Sequence, residues 1–242
     1  MTDIRAIGKI VAEFPDTVLV VDAVSSLGAV SCRTDEWNLD VVITGSQKAL
    51  MLPPGLSFLS ISEKAGKKIE SSKLPRYYFD LKKYRKSLDK FDFPFTPAVS
   101  LILGLKKSLS LIREEGLEEV LKRHQVLAEA TRAAVKAMGL ELLAEKPVNA
   151  LTAVKVPEGI DGNELTKMLK EKYGINFAGG QAQLKGKIFR IAHLGYFDKL
   201  DIILAISALE MALHQLGYKF ELGAGIKAAE EILTKGVQRN KI

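Results

Sequence analysis

Two stretches of sequence decide the fold: VLVVDAVSSLGA at residues 18–29 and DVVITGSQKAL at residues 40–50. Each contains a short run of apolar, mostly β-branched residues, which is typical of a strand buried on both faces of a parallel sheet. The first run ends in Asp22, and the second is followed closely by Lys48. We therefore predict that an acid and an amine emerge at the carboxyl ends of two strands, where open α/β sheets bind their ligands.

Taken singly, both residues have ordinary explanations. An Asp after a strand is usually a cap or a turn former, and a Lys is usually a solvated charge. The presence of both residues at neighbouring strand ends favours a catalytic role over these ordinary explanations. Apolar residues and the Pro53-Pro54-Gly55 turn follow Lys48, and an amine in apolar surroundings suits a Schiff-base lysine. A carboxylate that contacts a pyridinium nitrogen is the other protein group that pyridoxal phosphate chemistry requires, and Asp22 could supply it.

Three motifs together resemble the class V pyridoxal-phosphate-dependent aminotransferases. They are VDAVSSLGA at residues 21–29, GSQKALMLPPGL at 45–56 and FRIAHLG at 189–195. The resemblance is closest to the alanine-glyoxylate and serine-pyruvate (or serine-glyoxylate) aminotransferase type, and it covers nearly all of the chain. It implies transamination of a small amino acid, alanine or serine, with a 2-oxo acid, glyoxylate or pyruvate.

The resemblance also implies the fold and the domains. The fold class is α/β, the fold type I, aspartate-aminotransferase-like architecture of PLP-dependent transferases. Residues 1–95 would be the C-terminal part of the large, mainly parallel-sheet PLP-binding domain. Residues 96–115 would form a connecting helix, and residues 116–242 a small C-terminal α+β domain.

The resemblance assigns roles around a pyridoxal 5'-phosphate cofactor. Lys48 would hold the cofactor as a Schiff base and move the proton during catalysis. Asp22 would keep the pyridine nitrogen protonated, and Val24 would pack against one face of the ring. Ser46 and Gln47 would hydrogen-bond the phosphate.

Arg190 is predicted to lie in the middle of a strand, with its side chain opposite Phe189 and Ile191. The pattern alone leaves open whether it pairs with a structural carboxylate or points into a cleft. The resemblance implies that Arg190 binds the substrate carboxylate, and the paired N–H groups of a guanidinium explain the choice of Arg over Lys.

The resemblance further implies a homodimer with shared active sites. Residues 66–95 would border the dimer interface, and as a surface segment they would pack by their aromatic side chains. Relatives reach the partner's cofactor phosphate from residues 93–97, which makes Thr96 a cofactor-binding candidate. Phe93 and Phe95 stand where some relatives carry polar side chains.

Composition predicts a soluble globular protein, because 47% of its 242 residues are hydrophobic. No signal sequence or membrane-length apolar run is evident, so we predict a cytoplasmic protein with no membrane partner. The single Cys32 predicts neither a disulfide nor a metal site. The net charge is +6, with its densest basic run at residues 81–86. No nucleic-acid-binding motif accompanies that run, which favours a solvated surface.

Periodicity predicts the remaining elements. We expect helices at 4–14, 98–115, 117–138, 161–173 and 198–216, a short helix from Ser62, and strands at 56–61, 152–156, 175–178 and 187–191. Asn163 is a plausible helix cap, and Gly179-Gly180 is better explained as a hairpin turn than as a phosphate loop. His124 and His214 are expected on helix surfaces, and His193 is expected to have a structural role next to the site.

The chain opens in helix 4–14, whereas a substantial N-terminal portion comes first in the resembled family. That portion carries a phosphate-binding loop and a stacking aromatic ring, and Met1 looks like an added or misassigned start. We therefore expect absorbance near 420 nm from a full-length version, and weak or no absorbance from the isolated chain. One alternative is a truncated, weakly active or inactive member that acts as an oligomerisation or binding fragment. Another is a desulfurase, although Gln47 stands where desulfurases usually have His.

Overall fold

The structure is a computed structural model that describes residues 2–235. Met1 and residues 236–242, the end of the predicted small domain, lie outside the described residues. The described chain divides into two compact units. The first contains Thr2–Leu27 and Cys32–Leu111, and the second contains Gly28–Ser31 and the chain from Ile112 onward.

The elements follow the periodicity of the sequence closely. The helices are α1 (Ile4–Val11), α2 (Glu63–Ser71), α3 (Leu81–Leu88), α4 (Val99–Glu115), α5 (Leu117–Ala137), α6 (Gly162–Tyr173), α7 (Lys199–Gln215) and α8 (Ala224–Leu233). The strands are β1 (Val20–Asp22), β2 (Val41–Gly45), β3 (Ser57–Ile61), β4 (Leu151–Lys155), β5 (Ala178–Gly179) and β6 (Ile188–Ala192). None of the helices among residues 2–235 combines the length and the apolarity needed to cross a bilayer.

The first unit is built on a three-stranded sheet in the order β1-β2-β3. The predicted parallel pairing of β1 with β2 is confirmed, and β3 runs antiparallel to β2. The prediction that the first strand is buried on both faces is wrong: Val21 is buried, but Val20 is 57% exposed. Val20 belongs to the face of β1 that the described residues leave open to solvent.

Residues 66–95 contain the end of α2, the short helix predicted from Ser62, and the whole of α3, which was not predicted. The basic run forms most of α3. Asp80 caps α3 by accepting a hydrogen bond from the backbone N–H of Lys82. The aromatic side chains pack on one another, with the rings of Tyr78 and Phe95 only 4.7 Å apart. The predicted surface segment held by its aromatics is thus observed.

The second unit packs helices on an antiparallel sheet in the order β4-β6-β5. Its core includes Leu127, Phe189 and Leu209, all almost completely buried. Two predictions are wrong here. Asp161 rather than Asn163 caps α6, because the Asp161 carboxylate accepts a hydrogen bond from the N–H of Asn163. The strand predicted at 175–178 is a two-residue strand, β5, that begins only at Ala178.

Candidate active site

Asp22 and Lys48 lie at one edge of the first unit's sheet. The parallel register aligns Asp22, the last residue of β1, with Ile43 of β2. β2 ends at Gly45, and Lys48 follows in the loop beyond it. The predicted emergence of an acid and an amine from the same end of two parallel strands is therefore confirmed. Their catalytic roles stay predictions at this point.

The Asp22 carboxylate is exposed and oriented by its own loop. Its Oδ1 accepts a hydrogen bond from the backbone N–H of Val24 at 2.9 Å. This bond closes a tight turn directly after β1, and Ala23 continues the sheet by donating its N–H to the carbonyl of Ile43 at 2.8 Å. The carboxylate is thus held at the strand end while it remains open to a ligand. The predicted contact of Val24 with a cofactor ring stays a prediction.

Lys48 is half-buried in a loop closed by backbone hydrogen bonds. Ser46 N–H donates to Leu56 O at 3.0 Å, and Leu52 N–H donates to Ser46 O at 3.1 Å. Met51 has a positive φ of 59°, which reverses the chain beyond the lysine. These bonds and the turn at Met51 fix the backbone on both sides of Lys48.

Ser46 is fully buried and serves this turn. Its hydroxyl donates to Pro53 O at 2.7 Å and accepts from Leu56 N–H at 3.2 Å. Its predicted bond to a phosphate would require the hydroxyl to exchange its acceptor, because a hydroxyl has only one proton. Gln47 is exposed, and its side chain lies against Gly45. A Cβ atom added to Gly45 would lie only 2.7 Å from Gln47 Oε1.

The two remaining predicted site residues lie elsewhere in sequence. Thr96 is exposed in the first unit, shortly before α4. Arg190 is half-buried in β6 of the second unit, with Phe189 and Ile191 buried on the opposite face, as predicted. Arg190 donates through Nη2 to Gly179 O at 2.9 Å, and its buried Nε has no hydrogen-bond partner among residues 2–235. None of the described salt bridges includes Arg190.

Two explanations were left open for Arg190, a structural carboxylate partner or a side chain that points into a cleft. None of the described salt bridges supplies the carboxylate partner, which argues against the first explanation. A guanidinium bonds strongly to a carboxylate. Binding of the substrate carboxylate by Arg190 stays a prediction.

His193 has the structural role that the sequence analysis expected. It is fully buried, and its Nε2 lies 2.9 Å from Thr152 Oγ1 on β4. Burial, with the positive charge of Arg132, lowers its pKa from 6.5 to about 3. His193 is therefore neutral in the folded protein near neutral pH. His214 is exposed on α7, as predicted.

His124 was predicted on a helix surface, and that prediction is wrong. Its side chain is completely buried and bonded to the backbone at Gly28 and Gly195. Burial, together with the charge of Arg123, lowers its pKa below 6.5. The signal was available in the sequence, because His124 falls on the same helical stripe as Val120 and Leu127.

We expect the free energy of unfolding to fall as the pH drops below about 6.5. An unfolded His193 takes up a proton there, whereas the folded residue stays neutral down to about pH 3. The slope is up to about 1.4 kcal/mol per pH unit for one such histidine. Urea denaturation between pH 6.5 and pH 5 measures this slope. Most carboxylates take up protons at a lower pH.

The matched variants are His193→Gln and Thr152→Val. His193→Gln is expected to reduce the slope by the contribution of one proton. Thr152→Val removes the same hydrogen bond but keeps the histidine, so the slope should remain. An unchanged slope in His193→Gln would contradict this assignment.

The fold and the strand-end acid and amine place the chain in the class of fold type I, PLP-dependent transferases. The crystal structure of pyridoxamine-pyruvate aminotransferase from Mesorhizobium loti is similar with a TM-score of 0.89 at 35% identity, over 96% of this chain and 61% of that one. The model of the family "Aminotransferase class-V" matches residues 1–193, and the chain belongs to this family. Membership of the family implies pyridoxal phosphate as the cofactor.

Two curated relatives are similar in sequence. The "Soluble hydrogenase, small subunit" of Synechococcus sp. (strain PCC 6716) is 47% identical over 97% of this chain. The "L-aspartate--glyoxylate aminotransferase" of Paracoccus denitrificans is 41% identical over 95% of it. The chain spans 62% and 59% of the length of these two relatives.

Proposed function

We propose that this chain carries the lysine side of a pyridoxal-phosphate-dependent aminotransferase site, which exchanges an amino group between alanine or serine and glyoxylate or pyruvate. The observation that carries the proposal is the placement of Asp22 and Lys48 at one edge of a parallel strand pair. We propose transamination rather than the hydrogenase activity in the name of one relative, because Asp22 and Lys48 are side chains that transamination needs.

The described residues fit the cofactor in chemical type. Asp22 offers an exposed carboxylate to a pyridinium nitrogen, and Lys48 offers the amine that would hold the cofactor covalently. Gln47 and Ser46 stand beside Lys48 as phosphate candidates, and Val24 beside Asp22 as the ring contact. Pyridoxal phosphate, when bound, supplies the electron sink that makes the Cα–H bond of an amino acid acidic.

The side chains then have distinct tasks. The negative charge of Asp22 keeps a proton on the ring nitrogen it contacts. The free amine of Lys48 would take the proton from Cα of the substrate and deliver it to the C4′ carbon of the cofactor, which is general acid–base work. Arg190 orients the substrate through its carboxylate, and such positioning can contribute several kcal/mol.

We also infer a homodimer with shared sites, in which Thr96 binds the partner's cofactor phosphate. Support comes from the apolar side chains exposed between α2 and α4. Phe79 is 83% exposed and Phe91 is 98% exposed. In this proposal, the part of the large domain comprises residues 1–95. A connecting helix follows at residues 96–115, and the small domain comprises residues 116–242.

A donor-by-acceptor assay tests the function. The purified protein, supplied with pyridoxal phosphate, is offered alanine, serine or aspartate as donor and glyoxylate or pyruvate as acceptor. We expect turnover with alanine or serine and with at least one of the two acceptors, even where the cofactor absorbance is weak. No turnover with any pair, and no cofactor absorbance, would favour the alternative of a fragment that only binds or oligomerises.

A further inference from the structure

Two adjacent residues of α5, Arg123 and His124, are buried and bonded to backbone on other segments. Arg123 pairs with Glu115 through two hydrogen bonds, at 2.6 Å from Nε and 3.1 Å from Nη2. Its Nη1 donates to the carbonyls of Gly195 at 2.9 Å and Phe197 at 2.8 Å. The carboxylate orients the guanidinium, so that the remaining N–H groups hold the segment that follows β6.

His124 bridges two glycines with a single neutral ring. Its Nε2 accepts the N–H of Gly195 at 2.9 Å. The ring proton must then reside on Nδ1, which donates to Gly28 O at 2.8 Å. Both glycines have a positive φ, 78° at Gly28 and 88° at Gly195, so each lies where the chain turns.

One of the anchored segments adjoins a residue of the proposed site. Gly195 follows the strand that carries Arg190. His124 therefore fixes the backbone that leaves Arg190, and Arg123 adds two further bonds to the same segment.

We propose that Arg123 and His124 are positioning residues for the substrate-binding Arg190, fixing the backbone that follows its strand; this rests on the proposed function. The shape of the imidazole explains the choice of residue. It places a donor and an acceptor on opposite corners of one rigid ring, and an amide side chain cannot reach both partners. Burial keeps the ring in the neutral form that this arrangement needs.

The variants His124→Asn and His124→Gln test the bonds to Gly28 and to Gly195 separately. Asn places its amide near the position of Nδ1 and loses the acceptor for Gly195, whereas Gln reaches the position of Nε2 and can retain it. We expect hydrogen exchange of the Gly195 amide to rise about tenfold in His124→Asn and much less in His124→Gln. Gln125→Ala, an exposed neighbour on α5, is the control and should leave this exchange unchanged.

Steady-state kinetics supply the second readout. We expect His124→Asn to raise the KM for the amino acid about tenfold, the cost of a misplaced substrate-binding group, with a smaller change in kcat. Equal exchange in both variants, or a uniform rise at all amides of the unit, would overturn the anchoring. Faster exchange with an unchanged KM would reduce His124 to a structural residue. A wild-type protein without transaminase activity would instead refute the proposed function.

Discussion

Replacing Lys48 with alanine is expected to abolish transamination, lowering kcat by at least about 10³-fold, because the amine that holds the cofactor and transfers the proton is lost. The half-buried side chain supports no other part of the turn through a hydrogen bond in the described chain, so the fold should persist. Absorbance near 420 nm and turnover, both measured with excess pyridoxal phosphate, report the change.

The control for this experiment is Lys67→Ala. Lys67 is exposed on α2 in the same unit, and its removal changes the net charge by the same amount. We expect wild-type absorbance and turnover from it. Retention of the 420 nm band in Lys48→Ala would show that another amine holds the cofactor.

Asp22→Asn is expected to lower kcat by about 10²-fold to 10³-fold, since the charge that stabilises a protonated ring nitrogen disappears. The amide oxygen of Asn can still accept the N–H of Val24, which now bonds to Asp22 Oδ1 at 2.9 Å. The local turn should therefore survive, and the loss should appear in kcat with little change in Tm.

Two variants bracket this prediction. Asp22→Glu keeps the charge and should retain more activity than Asp22→Asn. Asp35→Asn removes an exposed carboxylate from the same unit and should leave turnover unchanged. Equal turnover in Asp22→Asn and in the wild type would remove Asp22 from the site.

The central part of the fold was predictable because local signals and tertiary structure agree there. Two apolar runs, each followed by small residues, predict β1 and β2 and the edge where Asp22 and Lys48 lie. The observed boundaries differ mainly at element ends, as for Ile4–Val11, which is shorter than the predicted helix 4–14.

Features stabilised by distant side chains were not predictable in the same way. Helix α8 begins at Ala224, and the preceding residue, Gly223, has no side chain to cap it. Its first N–H groups are satisfied instead by the buried carboxylate of Glu210 on α7, which accepts from Gly223 at 2.8 Å and Gly225 at 2.7 Å. A cap supplied by another helix leaves no local sequence signal.

The candidate site also combines features that local sequence predicts with features that depend on distant residues. The strand-end position of Lys48 follows from local sequence, whereas the engagement of Ser46 with Pro53 depends on how the loop closes. The buried environment of His124 could have been found from helical spacing, but its two glycine partners are remote in sequence. Long-range backbone contacts of this kind have no periodicity to reveal them.

Reductive trapping identifies the lysine that forms a Schiff base with the cofactor. The purified protein is incubated with pyridoxal phosphate, reduced with borohydride, digested and mapped by mass spectrometry. Because reduction makes the linkage permanent, even weak occupancy yields a modified peptide. We predict a single pyridoxyl label on Lys48. A label on a different lysine, or no label at all, would show that Lys48 does not hold the cofactor.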